Sequence, residues 1–241
     1  MPGAVNFQAI AMVDGWRRLL RRAWPAHCLA CGGRGEAGRD LCAACHAALP
    51  WLQVACPRCA LPLPTPAEAC GECLRNPPAL DAIHAAFLYA PPLDRLLPRF
   101  KFHGDLAAGR LLAALMRETA PRFPRNAVIV PIPLHRKRLR TRGYDQALEL
   151  AKPLAATCGL PLRDDLLHRA RATAAQSRLH ADQRKRNLRN AFEVDASIAL
   201  PACAVLIDDV MTTGATLHAA AKALRKAGVA HVEAWVCARV P

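Results

Sequence analysis

The sequence predicts an α/β fold class, in which a mostly parallel sheet is flanked by helices, with a small cysteine-rich module in front of it. Two observations lead to this prediction. Beyond residue 79, short apolar runs alternate with segments of helical spacing, which is typical of parallel strands joined by helical crossovers. Four CxxC pairs occupy the preceding stretch. We therefore divide the chain into a basic head (1–26), a cysteine module (27–78) and an α/β domain (79–241).

The elements of the α/β domain follow from apolar spacing. Continuous apolar runs indicate buried strands, whereas apolar residues three and four apart indicate helices. Strands that alternate with helices are joined by helical crossovers, which are right-handed and connect parallel strands, so the sheet should be mostly parallel. In chain order we expect a helix at 105–118, a strand at 127–132, a helix at 144–157, a strand at 204–207, a helix at 215–227 ended by Gly228, and a strand at 231–238.

Composition and charge limit the class of partner. With 241 residues and 53% apolar side chains, the chain can bury a core of ordinary size, so we expect a soluble globular protein. Lys and Arg total 33 against 19 Asp and Glu, and residues 131–190 alone hold fourteen Lys and Arg against five Asp and Glu. This excess favours an anionic partner. A phosphorylated sugar, pyrophosphate and nucleic acid satisfy it equally.

The head, residues 1–26, has the spacing of a basic amphipathic helix. Trp16, Leu19 and Ala23 share one helical face, and arginines fill the other. Such a helix either packs on its own protein or makes a peripheral contact with an anionic membrane surface. The N-terminus lacks the features of a signal peptide, and no run approaches the roughly 18 apolar residues of a spanning helix. We therefore expect a cytoplasmic protein in a reducing compartment.

The cysteine module predicts two structural Zn2+ sites. Successive CxxC pairs are separated by ten residues, and two CxxC turns supply the four thiolates of a closed tetrahedral site. Disulfides or an iron–sulfur cluster are the alternatives. Sequential and interleaved pairings use the same intervals. We favour the sequential pairing, with Cys28, Cys31, Cys42 and Cys45 on one ion and Cys56, Cys59, Cys70 and Cys73 on the other.

Residues 205–216 carry the strongest functional signal. Three apolar residues complete a buried strand, Asp208 and Asp209 follow, and a Thr/Gly turn then opens a helix. The amides of such a turn and the positive helix N-terminus bind a phosphate dianion. Two carboxylates beside a phosphate would repel it unless they bind something else. Vicinal ribose hydroxyls with a divalent cation alongside meet that requirement.

This segment resembles the signature of the type I phosphoribosyltransferases: an apolar triplet, two acids, two further residues, Thr-Thr-Gly, one residue and Thr. The resemblance implies a type I phosphoribosyltransferase-like sheet. It also implies that Asp208 and Asp209 are the catalytic acids that hold the ribose hydroxyls of phosphoribosyl pyrophosphate, with Mg2+ bound alongside the substrate. The loop that would bind the 5-phosphate consists of Met211, Thr212, Thr213, Gly214, Ala215 and Thr216.

The rest of the chain is similar to the ComF family, which is associated with competence and DNA uptake. The segments that carry this likeness are the CxxC pairs, Lys101-Phe102-His103-Gly104-Asp105, and residues 131–138, 142–146 and 183–192. There are two departures: Asp145 stands where Asn is usual, and Arg178 where Gly is common. The resemblance implies a zinc-ribbon protein that binds phosphoribosyl pyrophosphate or a nucleotide and works with the DNA-uptake machinery.

One basic segment follows the first expected strand, where the resemblance places the pyrophosphate-binding loop. Its substrate-binding candidates are Arg136, Lys137 and Arg138. Positive charge there would neutralise the leaving pyrophosphate as the C1–O bond breaks. The implied reaction is pentosyl transfer from phosphoribosyl pyrophosphate to a nitrogen nucleophile, which is glycosyltransferase chemistry.

A second basic strip supports a function of another class. Its nucleic-acid candidates are Arg184, Lys185, Arg186 and Arg189. The strip would either close over the active site as a lid or contact the backbone of single-stranded DNA. Together the two basic segments exceed the charge that one sugar phosphate could neutralise, which favours the DNA role. The alternative function is therefore a non-catalytic, single-stranded DNA-binding accessory protein that keeps the fold.

Overall fold

The structure is a computed structural model that describes residues 26–36, 38–170, 191–195 and 197–241. The chain divides into two compact units, Met1–Leu49 and Pro50–Pro241. The predicted amphipathic head, up to residue 25, and the basic strip 184–189 lie outside the described residues. Within those residues, no helix has both the length and the apolar character needed to cross a membrane.

The described part of the first unit is built around a CxxC turn and the short helix α1 (Ala43–Ala47). The N–H of Gly32 donates to the carbonyl of Cys28 and closes the turn. Gly32 has a φ of +78°, a left-handed conformation that glycine adopts without steric cost. The sulfur of Cys42 accepts a hydrogen bond from the N–H of Cys45 (3.4 Å) and caps α1.

The second unit contains the described strands and the other described helices. The strands are β1 (Ala82–Leu88), β2 (Ala127–Pro131), β3 (Leu167–Arg169), β4 (Phe192–Val194), β5 (Cys203–Met211) and β6 (His231–Arg239). The helices are α2 (Gly71–Arg75), α3 (Leu93–Phe102), α4 (Leu106–Glu118), α5 (Arg136–Arg142), α6 (Gln146–Cys158) and α7 (Ala215–Ala227).

Four strands form a parallel sheet in the order β1-β6-β5-β2, while β3 and β4 form a separate antiparallel pair. The two central strands, β5 and β6, are buried along most of their length, because parallel strands covered on both faces are apolar throughout. Helices α6 and α7 both pack against β5. The predicted α/β class, a parallel sheet flanked by helices, is confirmed.

The second cysteine group belongs to the same compact unit as the sheet. The carbonyl of Pro57 accepts a hydrogen bond from the N–H of Ile83 in β1 (2.8 Å). The carbonyl of Cys59 accepts one from Nε of Arg239 at the end of β6 (3.1 Å). The cysteine module after residue 50 is therefore bonded directly to two strands of the sheet.

Several elements differ from the sequence-based expectation. Strand β5 continues to Met211, past the predicted end at 207, so both acids lie in the strand. The segment expected as a basic loop is the short helix α5, which begins after His135 and ends at Gly143 with φ +83°. Strand β1 and helix α3 were not predicted, because β1 is an edge strand with a partly exposed apolar pattern and α3 contains Pro98.

Candidate functional site

The end of β5 and the start of α7 form one side of a cleft. Strand β5 carries Asp208 and Asp209 near its end, and the chain then turns through residues 212–214 into α7. Gly214 has a φ of +71°, and a Cβ there would lie 2.6 Å from Cε of Met211. The positive φ favours glycine at this turn, and an added Cβ would also displace the end of the Met211 side chain. The first amides of α7 lie at the carboxyl edge of the sheet, where parallel-sheet proteins bind phosphate.

The two acids differ in their surroundings. Asp209 is 4% exposed, and its Oδ1 accepts a hydrogen bond from the N–H of Val210 (2.7 Å) and forms an ion pair with Nζ of Lys101 (2.8 Å). Oδ1 of Asp208 accepts a hydrogen bond from the N–H of Asp209 (2.9 Å). Burial, together with repulsion from Asp209, raises the pKa of Asp208 to about 7. Among the described residues, the second oxygen of each carboxylate makes no hydrogen bond.

The acids open onto a cleft of about 110 Å³. Its lining combines carboxylates, cations and the turn before α7, so it is polar. The lining residues are Lys101, Ile132, Leu134, Arg138, Arg142, Asp145, Gln146, Ala147, Arg169 and residues 208–217.

Among the residues that the structure describes, four cationic side chains line the cleft, and they come from three elements. They are Lys101 on α3, Arg138 and Arg142 on α5, and Arg169 on β3. Burial and the nearby Arg142 lower the pKa of Arg138, and burial and the nearby Arg138 lower that of Arg169. The guanidinium of Arg169 lies 5.4 Å from the centre of the Phe192 ring. An anionic ligand would relieve the repulsion between these crowded cations.

Asp145, where Asn is usual in the family that the sequence resembles, holds two backbone segments together. Its Oδ1 accepts from the N–H of Leu148 (3.2 Å) and caps α6, and its Oδ2 accepts from the N–H of Leu134 (2.8 Å). Burial raises the pKa of this carboxyl, although the N–H donors oppose the shift. A carboxylate has an acceptor for each N–H, whereas an amide has one oxygen for both.

The structure brings together most of the predicted substrate-binding residues. The acid pair, the loop 211–216 and Arg138 all line the cleft. Arg136 and Lys137 are exposed on α5 and are not among the lining residues. Sequence reasoning placed Arg142 in the basic segment expected to bind pyrophosphate, but it did not select Lys101, Gln146 or Arg169 as site residues. Lys101 and Gln146 lay in segments already noted for their resemblance, but Arg169 had no distinguishing local signal.

The eight module cysteines form two sequential groups. In each group the four sulfur atoms lie within 4.8 Å of one another. Sγ of Cys31 is 3.9 Å from Sγ of Cys42 in the first, and Sγ of Cys59 is 3.6 Å from Sγ of Cys70 in the second. The groups are Cys28, Cys31, Cys42 and Cys45, and Cys56, Cys59, Cys70 and Cys73.

The donor sets fit structural Zn2+. Burial opposes ionisation of Cys28 and Cys56, yet N–H donors in the turns outweigh it and lower the pKa of Cys28 to about 6 and that of Cys56 to about 7. Four clustered sulfurs are the ligands of closed zinc sites, and bound Zn2+ would hold all four as thiolates.

Fold and site together define a class: a double zinc ribbon protein with a parallel α/β domain that carries an acid pair at the end of a central strand. The double zinc ribbon domain family matches residues 19–74. DNA utilization protein YhgH of Salmonella typhi is 36% identical over 205 residues, covering 83% of this chain and 90% of that protein. Competence protein F of Haemophilus influenzae is 34% identical over 223 residues, covering 88% and 96%. The chain therefore belongs to the ComF family.

Two further similarities are more distant. Competence protein ComFC of Streptococcus pneumoniae is 28% identical over 155 residues, covering 64% of this chain and 67% of that protein. The structure of glutamine phosphoribosylpyrophosphate amidotransferase from B. subtilis, complexed with ADP and GMP, covers 53% of this chain and 26% of that chain, with 17% identity and a TM-score of 0.36.

Proposed function

We propose that the cleft binds the 5-phosphoribosyl group of phosphoribosyl pyrophosphate or of a nucleotide, and that the protein is a phosphoribosyltransferase. One juxtaposition carries the proposal: the acid pair, the 212–216 turn and four cationic side chains line the same cleft. The amides at the start of α7 suit a 5-phosphate. The second carboxylate oxygens of Asp208 and Asp209, which make no hydrogen bond to the described residues, suit ribose hydroxyls, and the cations suit a pyrophosphate.

Pentosyl transfer follows from this arrangement. The C1–O bond to pyrophosphate breaks, a bond from the nitrogen nucleophile to C1 forms, and the leaving pyrophosphate takes the bonding electrons. Asp208 and Asp209 would orient the ribose. Bound Mg2+, which their free oxygens fit, would neutralise phosphate charge. Arg138, Arg142 and Arg169 would hold the leaving pyrophosphate and stabilise its developing charge.

The acid pair provides the direct test. Asp208→Asn combined with Asp209→Asn should abolish binding of phosphoribosyl pyrophosphate in the presence of Mg2+, measured by isothermal titration calorimetry. The matched control is Asp165→Asn, since Asp165 is an exposed carboxylate paired with Arg163 that does not line the cleft. Unchanged affinity in the double variant would refute the proposal.

The ionisation of Asp208 gives a second readout. Because its pKa is raised to about 7, the charged form is scarce at pH 6 and predominant at pH 8. If the charged form binds the ribose and Mg2+, affinity should rise with pH across this window, and binding near pH 7 should release protons. In Asp208→Asn alone, the contribution of Asp208 to the pH profile should be absent, which leaves the titration of the ligand's own phosphates and of Asp145. An identical pH profile in both proteins would exclude Asp208 as the titrating group.

A second candidate function is binding of single-stranded DNA. Phe102 is 66% exposed, and the guanidinium of Arg142 lies 5.5 Å from the centre of its ring. An exposed aromatic ring beside a cation is a stacking platform for a nucleic-acid base. The exposed residues Arg136, Lys137 and Arg140 on α5 add positive charge nearby in sequence. Relatives named for DNA utilization and competence support this candidate.

Two sets of substitutions test the DNA candidate. Phe102→Ala should weaken oligonucleotide binding by ~1–3 kcal/mol, because one stacked base is lost. Leu74→Ala is the control, since Leu74 is similarly exposed within the cysteine module.

Replacing the four cations of the predicted basic strip 184–189 with Ala should flatten the salt dependence of oligonucleotide binding by ~0.7 in log–log slope for each lost phosphate contact. An unchanged slope would assign the strip another role. The substituted residues are Arg184, Lys185, Arg186 and Arg189.

A further inference from the structure

Lys101 connects the cationic part of the cleft with the acid pair. Its Nζ lies 2.8 Å from Oδ1 of Asp209, and its carbonyl accepts a hydrogen bond from Nε2 of Gln146 (3.3 Å). Burial lowers the pKa of Lys101, but attraction from Asp209 and Asp208 outweighs it and raises the pKa overall. The ammonium is therefore charged and paired with the more buried acid.

This ion pair occupies a carboxylate that the proposed function requires, so the inference rests on that function. Mg2+ binds a carboxylate oxygen at about 2.0–2.1 Å. An ammonium on the same carboxylate would repel it strongly in a partly buried site. Binding of either cation to Asp209 therefore disfavours binding of the other.

The surroundings of Lys101 offer it a second partner once an anion is present. Arg142 lies close enough for its charge to oppose that of Lys101, and both side chains line the cleft with Arg138 and Arg169. A pyrophosphate among these cations would attract the ammonium away from Asp209. The carboxylate would then be released to a divalent cation and the ribose.

We propose that Lys101 is a displaceable counter-ion of Asp209, which makes divalent-cation binding depend on an anionic ligand. Without an anion, the ammonium stays on Asp209 and disfavours the metal. With pyrophosphate bound, the ammonium moves to the anion and Asp209 accepts the metal. The coupling is reciprocal, because each ligand raises the affinity of the other by the same factor. Lys101 acts here as a positioning and specificity residue for ligands of the proposed site.

The test measures two ligands separately in wild type and in Lys101→Met. Mn2+ alone, followed by electron paramagnetic resonance, should bind the variant at least about tenfold more tightly, because the competing ammonium is gone. Inorganic pyrophosphate in metal-free buffer should bind the variant about tenfold more weakly by calorimetry, because one cationic partner is lost. Lys152→Met is the control for both, since Lys152 pairs with Glu149 on α6 and does not line the cleft.

Opposite changes in the two affinities support the proposal. If Lys101 never leaves Asp209, its removal would strengthen Mn2+ binding without weakening pyrophosphate binding. That result would overturn the proposal. Unchanged Mn2+ affinity also overturns it. Lys101→Gln, which keeps a polar group near Asp209, replaces the Met variant if zinc content or circular dichroism shows misfolding. Failure of wild type to bind phosphoribosyl pyrophosphate with Mg2+ would refute the proposed function, while the Mn2+ and pyrophosphate measurements would still decide the role of Lys101.

Discussion

The two cysteine groups have the same spacing in the sequence and different surroundings in space. In the first group, Cys28 is buried but Cys31 is exposed. In the second, three of the four cysteines are buried, and Leu61 and Leu63 pack against them. The second group is also hydrogen-bonded to β1 and β6. The same cysteine spacing therefore occurs in two settings. The first group belongs to the small N-terminal unit, and the second is part of the packed unit that contains the sheet.

The comparison shows that metal-binding spacing determines the ligands but not what depends on them. Zinc binding is worth ~10–16 kcal/mol in small zinc peptides, and in a module with little core this free energy supports local folding. Where the module is hydrogen-bonded to a sheet, part of the free energy of zinc binding stabilises the sheet. The second group is connected to the cleft through β6, since Arg239, which donates to the Cys59 carbonyl, pairs with Met211 at the end of β5.

The largest expected effect is on the stability of the second unit. Cys56→Ser with Cys73→Ser should destabilise the sheet by several kcal/mol, on the order of a lost metal site shared with local folding. The double substitution Cys28→Ser and Cys45→Ser should change the stability of the second unit by no more than about 0.5 kcal/mol, because the first cysteine group belongs to the other compact unit. Hydrogen exchange of β5 and β6 amides measures both. Equal loss of protection in the two variants would show that the groups are energetically equivalent.

The two cysteine groups should release their Zn2+ at different rates. Elemental analysis should give about two Zn2+ per chain, since each group supplies one closed thiolate site. On addition of a chelator or a thiol reagent, one equivalent should leave at least about tenfold faster than the other, because exposed thiolates react sooner. The Cys28/Cys45 variant should lack the fast phase when release is followed with a metal-sensitive dye. Loss of the slow phase in that variant would reverse the assignment.

A smaller effect is expected at the link between the second group and the sheet. Arg239→Met removes the donor to the Cys59 carbonyl and should cost about 1–2 kcal/mol in urea unfolding of the second unit. Arg75→Met is the control, because Arg75 is exposed on α2 and hydrogen-bonds only within its own segment. That control should change stability by about 0.5 kcal/mol or less. Equal effects of the two substitutions would mean that the Cys59 contact contributes nothing.

The smallest effects concern the residue after each first CxxC turn. Gly32 and Ala60 occupy equivalent positions, with φ of +78° and +53°, and each N–H donates to the carbonyl of the first cysteine in its group. Gly32→Ala should weaken zinc binding at the first group by ~1 kcal/mol, a conformational cost, since a Cβ there meets nothing within 4 Å. Competition with a zinc indicator checks this value.

Ala60→Gly should be nearly neutral, within about 0.5 kcal/mol, in the same zinc competition. The substitution relieves the positive φ but removes a methyl group that is almost fully buried, worth ~0.8 kcal/mol. A large gain in affinity would show that the strain at Ala60 exceeds the value of its packing.

Sequence reasoning succeeded where the signal is local. The acid pair, the turn at Gly214 and the helix Ala215–Ala227 are contiguous, so their residue types specify strand, turn and helix together. The four-cysteine spacing is equally local. It failed for Arg169, which lies in a three-residue strand whose partner β4 begins more than twenty residues later. It also placed Arg136 and Lys137 in the site, because charge in a sequence does not indicate which face of a short helix meets the cleft.

By itself, the sequence determined the α/β class, the four CxxC pairs and the acid–turn–helix segment, because each depends on residues close together in the chain, whereas the structure decided that the pairs group sequentially. Only the tertiary structure decided that Lys101 pairs with Asp209 and that Arg169 enters the same cleft. It also decided that one cysteine group is bonded to the sheet. These contacts join residues that are distant along the chain, and packing of separate elements, rather than local propensity, creates them.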